Sequence, residues 1–74
     1  MDYSRIIKTN MGDDSYVFDM ELWNRGMEEK ARIELTCLNE SEAESKAAAI
    51  EQAISAGQGY EIKRREPVEK SYRN

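Results

Sequence analysis

The chain has 74 residues, a formal net charge of −4, one cysteine and no histidine. A chain of this length forms at most one domain with a small core, and its single cysteine excludes an intramolecular disulfide. A membrane-spanning helix needs about 18 consecutive apolar residues, and every apolar run in this sequence is much shorter. The N-terminal segment also lacks the apolar region of a secretory signal. We therefore expect a cytoplasmic protein, with one domain over residues 1–67 and a loose C-terminal tail over residues 68–74.

The first predicted element is a short strand over DYSRIIKT, residues 2–9, followed by a turn in NMGDD, residues 10–14. Glycine, asparagine and aspartate favour turns because they tolerate left-handed backbone or bond to their own backbone. The first two strands should therefore be adjacent and antiparallel. Asp13 and Asp14 are typical turn residues, and their carboxylates are also candidates for contact with a partner.

The next 24 residues, Ser15 to Leu38, alternate between apolar and polar positions on both sides of Gly26. This period of two predicts two strands, each with one face toward a core. One strand should turn Tyr16, Phe18, Met20 and Leu22 inward, and the other should turn Ala31, Ile33, Leu35 and Cys37 inward.

The register of this hairpin follows from pairing inner positions with inner positions. Two registers satisfy the pattern, and they differ in their outer charges. One sets Asp19 opposite Arg32 and Glu21 opposite Lys30, whereas the other sets Asp19 opposite Glu34. Because like charges directly opposite each other are unfavourable, we predict the first register, with Met20 opposite Ala31.

A helix is predicted over SEAESKAAAIEQAISAG, residues 41–57, since Ala43, Ala47, Ile50 and Ile54 form one helical stripe. Ser41 and Glu44 match a capping box, and Gly57 or Gly59 ends the helix. A fourth strand over YEIKRRE, residues 60–66, should turn Tyr60 and Ile62 inward and end at Pro67. The fold class is thus α+β: β-β-β-α-β, a small antiparallel sheet with one helix packed on one face.

The composition argues against an enzyme. Without histidine there is no Ser-His or Cys-His nucleophile, and a module with one helix offers little pocket for a carboxylate pair. Cys37 should be a packing residue. The acidic clusters lack the spacing of a calcium loop, and no metal or other cofactor is expected.

The outer sheet face is the candidate interface, because Trp23 and Val17 lie there with no predicted element above them. Tryptophan is enriched at interface hot spots, and Glu21, Glu28 and Glu29 surround it in sequence. The alternative is that Trp23 folds over the end of the sheet or under the tail. A homodimer formed through this face or an edge strand would also cover the surface.

Two families bear a resemblance to the chain. The segment from Tyr16 to Ile54 resembles the small arm-binding domains of tyrosine-type phage integrases, which would imply DNA binding by the sheet. In this chain, however, the outer face mixes Asp19, Glu21 and Glu34 with Lys30 and Arg32, so nucleic-acid binding is the less favoured alternative.

The alternating hairpin, the helix SEAESKAAAIEQA and the strand YEIKRRE together resemble small acidic bacteriophage inhibitors of the anti-CRISPR type. This resemblance implies a non-catalytic protein that blocks a basic, nucleic-acid-binding surface of its target, without binding nucleic acid or membrane itself. The acidic residues that it nominates by type are Asp13, Asp14, Glu28, Glu29, Glu40, Glu42 and Glu44. A small homodimeric accessory protein is the alternative function.

Overall fold

The computed structural model describes residues 1–59 and 61–71, which form five strands and one helix. In chain order the elements are β1 (Asp2–Gly12), β2 (Ser15–Trp23), β3 (Glu29–Leu35), α1 (Glu40–Gln58), β4 (Ile62–Arg64) and β5 (Val68–Ser71). All the strands belong to one sheet, and the core lies between that sheet and α1. The predicted α+β class is confirmed.

The sheet is mixed, so the prediction of an antiparallel sheet is wrong for its last strands. The strand order is β3-β2-β1-β4, with β5 also paired to β1. The first three strands form an antiparallel meander, as expected, but β4 and β5 run parallel to β1. The helix explains this direction. It carries the chain back to the end of the sheet where β3 begins, so β4 runs in the same direction as β3 and β1.

The segment 68–71 forms a strand, whereas the sequence predicted a loose tail from residue 68. Strand β1 has 11 residues, and β4 pairs only with its first part, from Asp2 to Ser4. Strand β5 then pairs with β1 from Ile7 to Asn10 and satisfies backbone groups that would otherwise lie unpaired at the edge. The predictions for Tyr60 and residues 72–74 lie outside the described residues.

The turn between β1 and β2 is tighter than its five-residue sequence suggested. Asp13 and Asp14 alone form it, with φ angles of 52° and 59°. Left-handed backbone at both central positions is typical of the two-residue turn that matches the twist of a β-hairpin. The Asn10 side chain accepts a hydrogen bond from the Gly12 N–H at 2.8 Å and closes the end of β1.

The predicted register of the hairpin formed by β2 and β3 is wrong by two residues. Met20 lies opposite Ile33, not Ala31, and Phe18 lies opposite Leu35. The five-residue loop from Asn24 to Glu28 accounts for this. Its residue Asn24 bonds through its backbone to Met27 and Glu28 and through its side chain to the Glu28 N–H, all at 2.9–3.0 Å. This loop is wider than the predicted turn centred on Arg25-Gly26, and it fixes the pairing.

The observed register places Asp19 opposite Glu34, the like-charge pair that we expected the chain to avoid. It also places Glu21 between Arg5 on one side and Arg32 on the other. Each arginine lies within 2.8 Å of a Glu21 oxygen. The bond from Arg5 is the same in either register of β2 and β3, so the geometry of the Asn24 loop sets this pairing in spite of the repulsive pair.

The core consists of the inward side chains of the first three strands and one stripe of α1. Its buried members are Ile6, Phe18, Met20, Leu22, Leu35, Ala43 and Ala47, with Ile33, Cys37, Ile50, Ile54 and Ile62 packed around them. The predicted inward faces are confirmed in their central parts. Tyr16 and Ala31 are exposed instead, Tyr16 at 38%, and both lie near the ends of their strands.

The helix begins two residues earlier than its predicted capping box. Asn39 is the N-cap, and its side chain accepts from the Glu42 N–H at 2.9 Å. Glu42 reaches back to the Leu38 N–H at 3.2 Å, so the capping role assigned to Ser41 and Glu44 is wrong. Gly59 ends the helix with a φ of 76°, as one of the two predicted stops.

Candidate partner-binding site

The outer face is the face of the sheet away from α1, and a row of three charged side chains crosses it. Arg5, Glu21 and Arg32 stand side by side on β1, β2 and β3. Glu21 is only 4% exposed, and both of its oxygens accept from guanidinium groups, one from each arginine. The buried carboxylate is therefore fully engaged within the chain and is not available to a basic partner.

Trp23 lies next to this row, at the end of β2, where Tyr3 of β1 is its neighbour. The indole is half-buried under arginine side chains. The Arg5 guanidinium lies 4.5 Å from the ring centroid, and that of Arg65 lies 5.9 Å away. The indole Nε1 is buried, and no acceptor among the described residues bonds to it.

A basic cleft adjoins Trp23 on the side of β4. It has a volume of about 670 Å³, and its lining residues are Tyr3, Arg5, Met27 and the segment 63–68 that joins β4 to β5. Lys63 lies opposite Tyr3 in the register of β1 and β4, while the Arg65 N–H donates to the Ser4 carbonyl at 2.8 Å. The pairing of β4 with β1 therefore builds this cleft.

Two cations of the basic cleft have no carboxylate partner among the described residues. Lys63 makes no ion pair with a described residue, and neither does Arg65, whose guanidinium lies near the Tyr3 and Trp23 rings and 3.9 Å from the Met27 sulfur. Cations of this kind attract an external anion without first losing an internal bond. The cleft combines positive charge, aromatic surface and hydrogen-bond donors.

A second cavity, of about 240 Å³, opens on the helix side between Phe18, Ala43 and Val68. Of its charged lining residues, Lys8 is paired with Glu40 and Glu44 with Arg64, whereas Glu69 has no ion pair among the described residues. It is smaller than the basic cleft and leaves fewer groups available to a ligand.

The predicted interface residues do not form one patch. Val17 is half-buried opposite Thr9, six positions along β2 from Trp23. At about 3.4 Å per residue the two side chains are separated by about 20 Å. The structure brings Trp23 close to Glu21, but it does not bring Val17 close to either.

Most of the predicted acidic contact residues are engaged in ion pairs within the chain. Glu29 bonds to Arg32, Glu40 to Lys8, Glu42 to Lys46 and Glu44 to Arg64. Asp13, Asp14 and Glu28 have no ion pair within the described part of the chain, and they are exposed. Asp13 and Asp14 form one hairpin tip, and Glu28 lies in the other, so β2 separates them.

On the helix side, a polar network ties α1 to β1 and β4. Glu51 accepts from the Ser4 hydroxyl and, at 2.6 and 2.9 Å, from the Arg64 guanidinium. Burial of the Glu51 carboxyl acts to raise its pKa, but the hydrogen bonds from Arg64 and Ser4 outweigh burial and hold the pKa below its ordinary value. The network is a structural link that requires the ionised carboxylate.

Cys37 packs half-buried against the core, and burial, reinforced by nearby Glu42, raises the pKa of its thiol. A raised pKa lowers the thiolate fraction and hence the reactivity. Within residues 1–59 and 61–71, no three His, Cys, Asp or Glu side chains lie close enough to hold a metal ion. The same residues contain no helix that is both long and apolar enough to cross a bilayer.

Sequence reasoning missed the cations of the basic cleft. The sequence pattern indicates part of this cleft, since Tyr3 and Arg5 both occupy odd positions of β1 and should lie on the same face of the sheet. The missing fact was that β4 lies next to β1, which places Lys63 and Arg65 beside them.

Comparison with known proteins returned no match, whether to a family model, a curated protein or a solved structure.

Proposed function

We propose that the chain is a non-catalytic protein-binding module that holds its partner at the basic cleft beside Trp23. The observation that carries this proposal is the combination of a buried indole N–H without an acceptor and two neighbouring cations without a carboxylate. A buried donor left unsatisfied costs about 1–3 kcal/mol in the free protein. Tryptophan is also enriched at interface hot spots, and a partner that supplies an acceptor would remove this cost.

The chemistry of the basic cleft favours a partner that presents acceptors. Lys63, Arg65 and the Trp23 N–H are all donors, and Glu66 is the one acidic side chain in the cleft lining. An acidic protein segment would supply carboxylates to the two cations. Movement of Arg65 toward such a carboxylate would also take its guanidinium away from the indole ring, whose N–H is buried.

A single-stranded nucleic acid is less well suited to this surface. Bases bind such sheets by stacking on open aromatic rings, but guanidinium groups already flank the Trp23 indole. The net charge of −4 adds repulsion of a long polyanion. The arginine cover and the charge both favour a protein segment.

The interpretation as an inhibitor of the anti-CRISPR type, blocking a basic surface, stays a prediction. The acids available for it are Asp13, Asp14 and Glu28, because the other nominated acids are bonded within the chain. These three lie at opposite ends of a strand of nine residues, about 30 Å long. They do not form one acidic surface, so specific contacts would have to replace charge mimicry.

Trp23 is the single tryptophan, so its fluorescence reports directly on the proposed site. We expect an oligoglutamate peptide, titrated at low ionic strength, to change this fluorescence in a saturable way that salt suppresses. Lys63→Glu should abolish the change. Lys70→Glu is the matched control, since Lys70 is an exposed lysine on β5 outside the cleft lining. Equal responses of the two variants would contradict the proposal.

The partner itself can be sought by affinity capture from a bacterial lysate. Proteins that bind the wild type and the Lys70→Glu variant, but not Lys63→Glu or Trp23→Ala, are candidates for specific partners. Capture that is unchanged in Trp23→Ala would show that binding occurs elsewhere. Capture of nucleic acid in place of protein would favour a nucleic-acid-binding function.

A further inference from the structure

Strand β3 forms an edge of the sheet, and its second half lacks proline, a bulge and inward-pointing charge. It has seven residues, against three in β4 and four in β5 at the other edge. Natural edges are blocked by charged side chains, by proline, by inward-pointing charges or by bulges along the strand. The charges that β3 carries on its outer side after the bulge, Arg32 and Glu34, have opposite signs and can therefore pair across two copies. From Ala31 to Leu35 the inward side chains of β3 are apolar, and its bulge lies before this segment, near Trp23.

The same edge carries an unresolved electrostatic conflict. Glu34 lies directly opposite Asp19, and neither carboxylate has an ion pair within the part of the chain that the structure describes. Elsewhere on the sheet, arginines flank the central Glu21. A cation placed on the free side of Glu34 would relieve the repulsion in the same way.

We propose that β3 pairs antiparallel with β3 of a second copy of this chain, around a two-fold axis at Ile33. In this register Arg32 lies opposite Glu34 of the second copy, and Glu34 lies opposite Arg32 of the second copy. Each Glu34 thus gains a cation that its own sheet does not supply, while Arg32 keeps its bond to the buried Glu21 and gives up its bond to the exposed Glu29. The two five-stranded sheets become one continuous sheet with both helices on the same face.

The inner face of this arrangement is apolar throughout. Ile33 meets Ile33 of the second copy, and Ala31 meets Leu35 of the second copy. Ala31 is exposed and Ile33 is half-buried in the single chain, because α1 does not cover the edge. Pairing would remove both from water, which matters in a domain whose own core is small.

The charges select this register over its neighbour. A pairing centred on Arg32 would set that arginine against its own copy, which cross-strand repulsion disfavours. In the intramolecular hairpin a loop overrode the charge pattern, but no loop connects two separate chains. The paired segment of β3 lies at the opposite edge of the sheet from β4, so a dimer leaves the Lys63 and Arg65 side of the proposed partner site open.

Sedimentation equilibrium over a wide range of concentrations tests the dimer. The wild type should approach twice the mass of one chain at high concentration, and Glu34→Lys should remain monomeric. In the monomer, Glu34→Lys should raise the free energy of unfolding, because it converts the repulsive pair with Asp19 into an attractive one. A Glu34→Lys variant that is folded but monomeric would therefore show that the change affects the dimer interface and not the folding of the single chain.

Glu61→Lys is the matched control, since it makes the same charge change at an exposed position outside the sheet pairing. It should dimerise like the wild type. A wild type that is monomeric throughout, or a Glu34→Lys variant that dimerises as well as Glu61→Lys, would overturn the proposal.

A cysteine at the two-fold axis tests the register. Directly opposed residues in antiparallel strands have Cα atoms about 4.5–5.5 Å apart, within the range of a disulfide. In a Cys37→Ser background, Ile33→Cys should form an intermolecular disulfide under mild oxidation. Ala31→Cys should not, because its neighbour is Leu35 of the second copy. Cross-linking at Ala31 instead of Ile33 would refute this pairing.

Discussion

The two faces of the sheet satisfy their side chains in different ways. On the helix side, apolar side chains pack under α1, and the polar groups at the margin are hydrogen-bonded, as in the network of Ser4, Glu51 and Arg64. On the outer face, charged side chains bond to one another, and Trp23 keeps an unsatisfied N–H beneath arginines. The helix side therefore stabilises the fold, whereas the outer face retains groups that a partner can still satisfy.

The largest effect should come from the helix side. Met20 is 0% exposed at the centre of the core. Met20→Ala should lower the free energy of unfolding by about 2–5 kcal/mol, because it leaves a cavity that the small core cannot fill. Urea denaturation followed by Trp23 fluorescence measures this loss. Val17→Ala, on the outer face, should cost about 1 kcal/mol or less. Equal losses would contradict the difference between the faces.

The charged row on the outer face should contribute next. Glu21→Gln keeps the shape of the side chain but leaves Arg5 and Arg32 without their carboxylate. We expect a loss of about 1–3 kcal/mol in unfolding free energy, since Glu21 is buried and both arginines depend on it. Glu44→Gln is the control at a more exposed pair, where the loss should be below about 1 kcal/mol. Similar values for both would show that burial of Glu21 has no effect.

Acid should weaken the helix-side network. The pKa of Glu51 is lower in the folded chain than its ordinary value of 4.5. Its contribution is therefore complete above about pH 4.5 and is lost as the pH falls through the folded-state pKa. The difference in stability between the wild type and Glu51→Gln should shrink over that range. Glu28→Gln is the control variant, because Glu28 is exposed and has no ion pair among the described residues.

The smallest effect on stability should come from Trp23→Phe. This change removes apolar surface but also removes the buried N–H, whose desolvation costs about 1–3 kcal/mol. The two effects oppose each other, so the net change should be near zero when measured by circular dichroism in urea. Trp23→Ala removes the whole ring and should destabilise more. A large loss in Trp23→Phe would indicate that the N–H is bonded in solution.

Side-chain periodicity predicted the parts of the fold that depend on burial. The stripe from Ala43 to Ile54 and the inward positions Phe18, Met20, Ile33 and Leu35 were recognisable because a core demands them. The hairpin register was not, because the backbone of the loop around Asn24 and Met27 decides it. Met27 adopts a φ of 65°, which its residue type does not favour.

Of the residues at the candidate site, only Trp23 was predicted as a partner-binding residue from the sequence. Lys63 and Arg65 join Trp23 because β4 crosses to the far side of β1, and residue pattern alone left the positions of those strands open. The acidic residues, in contrast, were predicted as contact residues without knowledge of the cations that lie beside them in the fold. In the fold Glu40 and Glu44 lie near Lys8 and Arg64, which come from distant parts of the sequence.

The parallel pairing of β1 with β4 and β5 has a consequence for the synthesis of the chain. Asp2 pairs with Ile62, a partner made 60 positions later. A nascent chain can form the meander of its first three strands early, but one side of β1 stays open until residues 62–71 have emerged. Such distant contacts slow the final stage of folding. Truncation within β4 or β5 would then leave a second open edge, and aggregation of the shortened chain is the expected result.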